Sequence, residues 1–72
     1  MPYVNIKVTR EGGPDGTGPS PGEKARLISG VTGLLQEVLG KSPATTFVVI
    51  EEVALEDWGI GGLPVQDYRR QQ

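Results

Sequence analysis

The chain has 72 residues, enough for one small domain, and seven Lys/Arg against nine Asp/Glu give a formal net charge of −2. It contains no cysteine and no histidine, which excludes disulfides and thiolate metal sites, argues against zinc, and removes the commonest general base and the thiol nucleophile. So balanced a charge gives no field for nucleic acid or anionic membranes, and no apolar run approaches a membrane span or a signal peptide; a cytoplasmic protein is expected.

A single chain of this size buries too little surface to be secure alone. Small folds compensate with disulfides, metals or oligomerisation. With the first two removed by composition, self-association is expected. Catalysis, if present, must use carboxylates, lysines, a tyrosine, a hydroxyl or the terminal amine.

Residues 3 to 9 alternate strictly: Val4, Ile6 and Val8 one way, Tyr3, Asn5 and Lys7 the other. That period of two predicts a strand with one face on a core. Residues 10 to 22 are dense in Gly and Pro and predict a loop, long for so small a domain. Ser20, Pro21 and Glu23 form a capping-box helix start. Leu27, Ile28, Val31, Leu34, Leu35, Val38 and Leu39 then recur at helical spacing, and Gly40 supplies a stop. Gly30 and Gly33 lower helix propensity; either they allow close packing against a sheet or another subunit, or they are simply tolerated.

Lys41 to Ala44 predict a short turn, and Thr45 to Val53, rich in β-branched residues, a second strand. Strand, helix and strand make an α/β fold, a β-α-β unit with parallel strands and a right-handed crossover. Two strands are too few to stand alone, so further strands should come from other copies. Ala54 to Asp57 predict a turn, and Trp58 to Gly62 a tight hairpin able to pack on a neighbour. The polar tail, about 66 to 72, is expected to fray without a partner.

Met1-Pro2 leads straight into the first strand, and Trp58-Gly59-Ile60-Gly61-Gly62 follows the βαβ unit. In this the chain resembles the 4-oxalocrotonate tautomerase family, which carries an aromatic followed by Gly-Ile-Gly-Gly at that place. Pro43 to Thr46, running into Phe47 to Val53, resembles a branch of the same family. The resemblance covers residues 1 to about 62. It implies one tautomerase-like domain over 1–72, a homohexamer built as a trimer of dimers, and no cofactor. The 10–22 loop is an insertion of about six residues against the family's usual connection, either a lid or a neutral lengthening, since loops lengthen at small thermodynamic cost.

The implied activity is keto-enol proton transfer in a small 2-oxo or enol acid. Met1 is removed, and the secondary amine of Pro2 becomes the general base. Many unrelated chains also begin Met-Pro, so the implication rests on the whole pattern. The resemblance places substrate binding on Arg10, Phe47 and Trp58, each with a plainer reading. Arg10 lies two residues before the family's carboxylate-binding arginine, whose place falls on Gly12; it is a carboxylate fork or a solvated loop residue. Phe47 stands where the family has a second arginine, which puts a dicarboxylate substrate in doubt; it makes the pocket apolar or belongs to the core. Trp58 is a pocket wall, an interface anchor, or both. Tyr3 flanks the pocket or merely packs. Glu51 and Glu52 read as solvated strand residues, although a carboxylate aimed at Pro2 would instead suggest a cofactor-independent hydratase or dehalogenase of a small unsaturated acid. A chain that keeps Met1 has only an amide nitrogen at Pro2, leaving a non-catalytic oligomeric member of the family.

Overall fold

A computed structural model describes residues 1–71. Strand β1 (Tyr3–Thr9) is followed by helix α1 (Pro21–Leu39) and strand β2 (Phe47–Val53). The two strands are parallel and pair from Tyr3 with Phe47 through to Thr9 with Val53. Helix α1 packs on β2. The predicted β-α-β architecture is therefore the one observed. Strand alternation explains its two faces. Val4, Ile6, Val8, Val48, Ile50 and Glu52 lie on the half-buried side, towards α1; Tyr3, Lys7, Phe47, Val49 and Glu51 lie on the exposed side.

The helix ends are those written in the sequence. The Ser20 hydroxyl accepts from the Glu23 amide and the Glu23 carboxylate accepts from the Ser20 amide, closing a capping box ahead of Pro21. At the other end Gly40 takes a left-handed conformation, φ 67°, and its N–H donates to the carbonyl of Gln36. The loop is shorter than expected by two residues, because Pro21 and Gly22 already belong to the helix. The second strand starts at Phe47 rather than Thr45. Pro43–Thr45 form a 3₁₀ turn, with the Ser42 side chain accepting from the Ala44 amide.

After β2 a 3₁₀ turn, Leu55–Asp57, leads to an antiparallel hairpin of β3 (Gly59–Ile60) and β4 (Leu63–Pro64). Gly61 and Gly62 make its turn with φ of 63° and 84°, values an L side chain resists. The predicted hairpin is thus present, over Gly59 to Pro64 rather than Trp58 to Gly62. The tail differs from expectation. It forms a helix, α2 (Val65–Arg70), with Asp67 in its first turn and Arg69 and Arg70 in its last. That charge order suits the helix dipole. The Val65 amide donates to the Trp58 carbonyl at 2.8 Å, which anchors the helix to the hairpin. Gln72, the last residue of the predicted tail, lies outside the described residues.

What the chain lacks is an interior. Among the described residues Val65, 7% exposed, is the only buried large apolar side chain. Leu34, Val38 and Leu39 of the apolar helix stripe are 57%, 68% and 59% exposed. The radius of gyration is 15.3 Å, against about 11 Å for a compact chain of this length. Val31 and Leu35 are half-buried, so the stripe is only partly covered within its own chain, and the exposed remainder needs a partner from outside. None of the described helices is long and apolar enough to cross a membrane.

Gly33 lies on the pole of α1 opposite the stripe, and a Cβ there would meet nothing within 4 Å. Gly33→Ala is therefore expected to raise stability by about 1 kcal/mol through helix propensity alone. Thermal unfolding at one fixed protein concentration measures it; a fall in midpoint would show that another subunit covers this pole.

Candidate active site

Pro2 heads β1, half-buried, with Met1 fully outside it. Its carbonyl accepts the Phe47 amide at 3.0 Å, so β2 begins directly beside it. Phe47 and Tyr3 are cross-strand partners on the exposed face, 52% and 64% exposed. This end of the sheet therefore joins the proline to two open aromatic rings. The structure brings Pro2 and Phe47 together as neighbours.

Arg10 and Trp58 lie elsewhere. Arg10 closes the other end of the same sheet, where its amide donates to the Val53 carbonyl at 3.0 Å. Eight residues of extended chain separate it from Pro2, about 26 Å at the usual strand rise. Trp58 follows Val53 by five residues, three of them in a 3₁₀ turn that advances only about 2 Å per residue. It cannot return along β2 to Pro2. One copy thus carries Pro2 with Phe47 at one end, and Arg10 and the Trp58 hairpin beyond the other. No enclosed pocket forms among the described residues of a single chain.

The charged groups sort Arg10 from its neighbours. Lys7 pairs with Glu51 at 2.9 Å on the exposed face, and Asn5 donates to the same carboxylate oxygen. Lys24 of α1 pairs with Glu52 on the helix side. Arg69 pairs with Glu11, and Arg70 with Asp67. Arg10 enters none of the salt bridges among the described residues, and its charge acts on Glu52 only at longer range. Both strand acids are occupied in ion pairs. Glu51 behaves as a solvated-face residue; Glu52, opposite Val8, is half-buried against Lys24 and the backbone of Gly18.

These pairs shift the carboxyls in one direction. The hydrogen bond from Arg69, then that from the Thr9 hydroxyl, brings Glu11 from an ordinary 4.5 down to about 2. Lys7 lowers Glu51, and Lys24 lowers Glu52. Carboxyls depressed in the folded state favour folding above their unfolded value and lose that contribution as they are protonated. Stability should therefore hold flat from neutrality to about pH 4.5 and fall from there towards pH 2. Circular dichroism against pH checks this.

Sequence reasoning missed the Glu11–Arg69 contact, since it read the tail as frayed. An acid early and two arginines late between Val65 and Arg70 were the available helix signal.

One chain is thus a parallel βαβ unit led by a proline, with much of its apolar stripe exposed and its candidate residues at two ends of the sheet. The comparisons with known proteins agree on its family. A family model described as tautomerase enzyme matches residues 2–68. A probable tautomerase of Dickeya dadantii is 48% identical over 71 residues, covering 99% of this chain and 97% of that one. DmpI of Helicobacter pylori superposes with a TM-score of 0.82 at 38% identity, covering 99% of this chain and 100% of the other. TomN, a 4-oxalocrotonate tautomerase homologue of the tomaymycin biosynthetic pathway, gives 0.75 at 30% identity, covering 96% and 95%. The chain belongs to the tautomerase family, as a member of its 4-oxalocrotonate tautomerase group.

Proposed function

We propose that this chain is an isomerase that interconverts keto and enol forms of a small 2-oxo acid, with Pro2 as its base once Met1 is removed. The observation that carries the reading is the place of Pro2. It opens β1, and the family match begins on it. Removal of Met1 turns its amide nitrogen into a secondary amine. A terminal amine titrates nearer neutrality than any lysine, and apolar surroundings together with neighbouring guanidinium groups favour its neutral form further. A neutral amine takes the proton from the enol hydroxyl, and the ammonium so formed returns it to carbon. Proton count and charge balance, and no cofactor enters.

Arg10 is the carboxylate partner in this reading, Phe47 the apolar floor beside Pro2, and Trp58 the wall that keeps water out. Because one chain separates these groups, the site forms between copies: Pro2 and Phe47 from one, Arg10 and Trp58 from another. The exposed part of the helix stripe, Leu34, Val38 and Leu39, supports such an assembly, which we infer to be the homohexamer implied by the family resemblance, in the cytoplasm. With Phe47 where a second arginine would stand, one carboxylate suffices for the substrate. Arg10→Ala is expected to raise KM for the enol of phenylpyruvate about tenfold or more. An unchanged KM would remove Arg10 from the site.

No observation favours a hydratase, since Glu52 is engaged by Lys24. The non-catalytic reading is favoured only by retention of Met1, which intact mass decides.

A further inference from the structure

The loop after β1 contains a contact that the proposed chemistry does not use. Both guanidinium nitrogens of Arg69 donate to the two carboxylate oxygens of Glu11, at 2.9 Å each. The Thr9 hydroxyl donates to one of the same oxygens at 2.7 Å. Glu11 is the residue next to Arg10. Single ion pairs at a surface contribute little, but a two-pronged guanidinium–carboxylate pair fixes direction as well as distance.

Its place along the chain gives it a purpose. Arg10 makes the last backbone contact of the β1–β2 pair. Immediately after it, Gly12, Gly13, Gly16 and Gly18 all take positive φ. This stretch has little stiffness of its own, although the Gly18 amide closes it on the Gly12 carbonyl at 3.1 Å. Arg10 thus stands where a rigid strand meets a compliant loop. At the other end of the contact, Arg69 belongs to α2. That helix is held by buried Val65, by the Val65 amide on the Trp58 carbonyl, and by Tyr68 lying against Gly61 of the hairpin.

We propose that the Glu11–Arg69 pair is a clasp that sets Arg10 in place relative to Trp58, so that Arg69 is a positioning residue for binding of the substrate carboxylate. The proposal rests on the reading of Arg10 given above. The clasp joins the strand bearing the carboxylate fork to the unit bearing the aromatic wall. It extends the rigid part of the chain one residue past Arg10, before the glycines begin. Arg69 acts through Glu11 and needs no contact with substrate.

Ketonisation of the enol of phenylpyruvate by the full chain tests this, with sedimentation beside each assay. Arg69→Ala and Glu11→Gln are expected to raise KM roughly tenfold and leave kcat within about twofold, because misplacement of a binding group acts on substrate capture. Arg69→Lys, which keeps the charge and loses the fork, should fall between them and the parent. The exchanged pair, Glu11→Arg with Arg69→Glu, should recover most of the KM. Unchanged KM in Arg69→Ala beside raised KM in Arg10→Ala overturns the clasp alone. So does an exchanged pair that sediments as the parent does and recovers nothing. Unchanged KM in Arg10→Ala overturns the reading of Arg10, and the clasp with it.

Discussion

Pro2→Ala is expected to reduce turnover of an enolised aryl pyruvate by at least about 10²-fold, the usual contribution of a positioned general base. The parent chain should have a mass lacking Met1. The substitution keeps a small residue at position 2, so removal of Met1 continues and a terminal amine remains. What changes is the secondary amine held in a ring at the head of β1, beside Phe47. The loss should fall on kcat, since the base acts on the reacting proton and not on the carboxylate. Arg10→Ala should show the opposite split. Two variants that separate kcat from KM in this way would assign the two roles to two ends of the sheet. Activity indifferent to Pro2, or a parent that retains Met1, would leave the fold without the proposed chemistry.

Leu34→Glu is expected to break the assembly and unfold the chain with it. Leucine and glutamate have nearly the same helix propensity, and Leu34 is 57% exposed in the single chain. For a monomer the change would be a surface substitution worth under about 0.5 kcal/mol. If the stripe is covered by another copy, each subunit loses about 2 kcal/mol of apolar burial and also buries a charge. A chain with one buried large apolar side chain among its described residues has no reserve against that loss. Sedimentation should show the parent as an oligomer with a concentration-dependent unfolding midpoint, and Leu34→Glu as a smaller, largely unfolded species. A folded Leu34→Glu oligomer would place the interfaces on another face. The exposed Tyr3 and Phe47 side of the sheet would then be examined in the same way.

The features legible in the sequence were local ones. Alternation from Tyr3 to Thr9 wrote β1, and Ser20, Pro21 and Glu23 wrote the start of α1 because capping is settled within four residues. Gly40 wrote its end, and the glycine pair at 61 and 62 wrote the hairpin turn. The need for partners was legible in composition, since neither disulfide nor metal was available to so short a chain. The candidate residues Pro2, Arg10, Phe47 and Trp58 were named through family resemblance and not through physical patterning.

Tertiary structure decided what depends on residues far apart in the chain. The parallel direction followed from the strand–helix–strand order, and Arg10 lies at the far end because β1 is extended, but the residue-by-residue register that put Phe47 opposite Tyr3 and beside Pro2 was not written in either strand. Tertiary structure also turned Glu52 towards Lys24, because strand parity fixes the face but only the packed helix supplies the cation. It made the tail a helix: Val65 is buried there and Arg69 reaches Glu11, 58 positions away in sequence. Short-range propensity is weak in so short a segment, and a long-range contact settles it. The sequence by itself determined the elements and the requirement for other copies; only the three-dimensional arrangement set Phe47 beside Pro2 and placed the Trp58 hairpin and α2 at the Arg10 end, because those contacts join residues far apart in the chain.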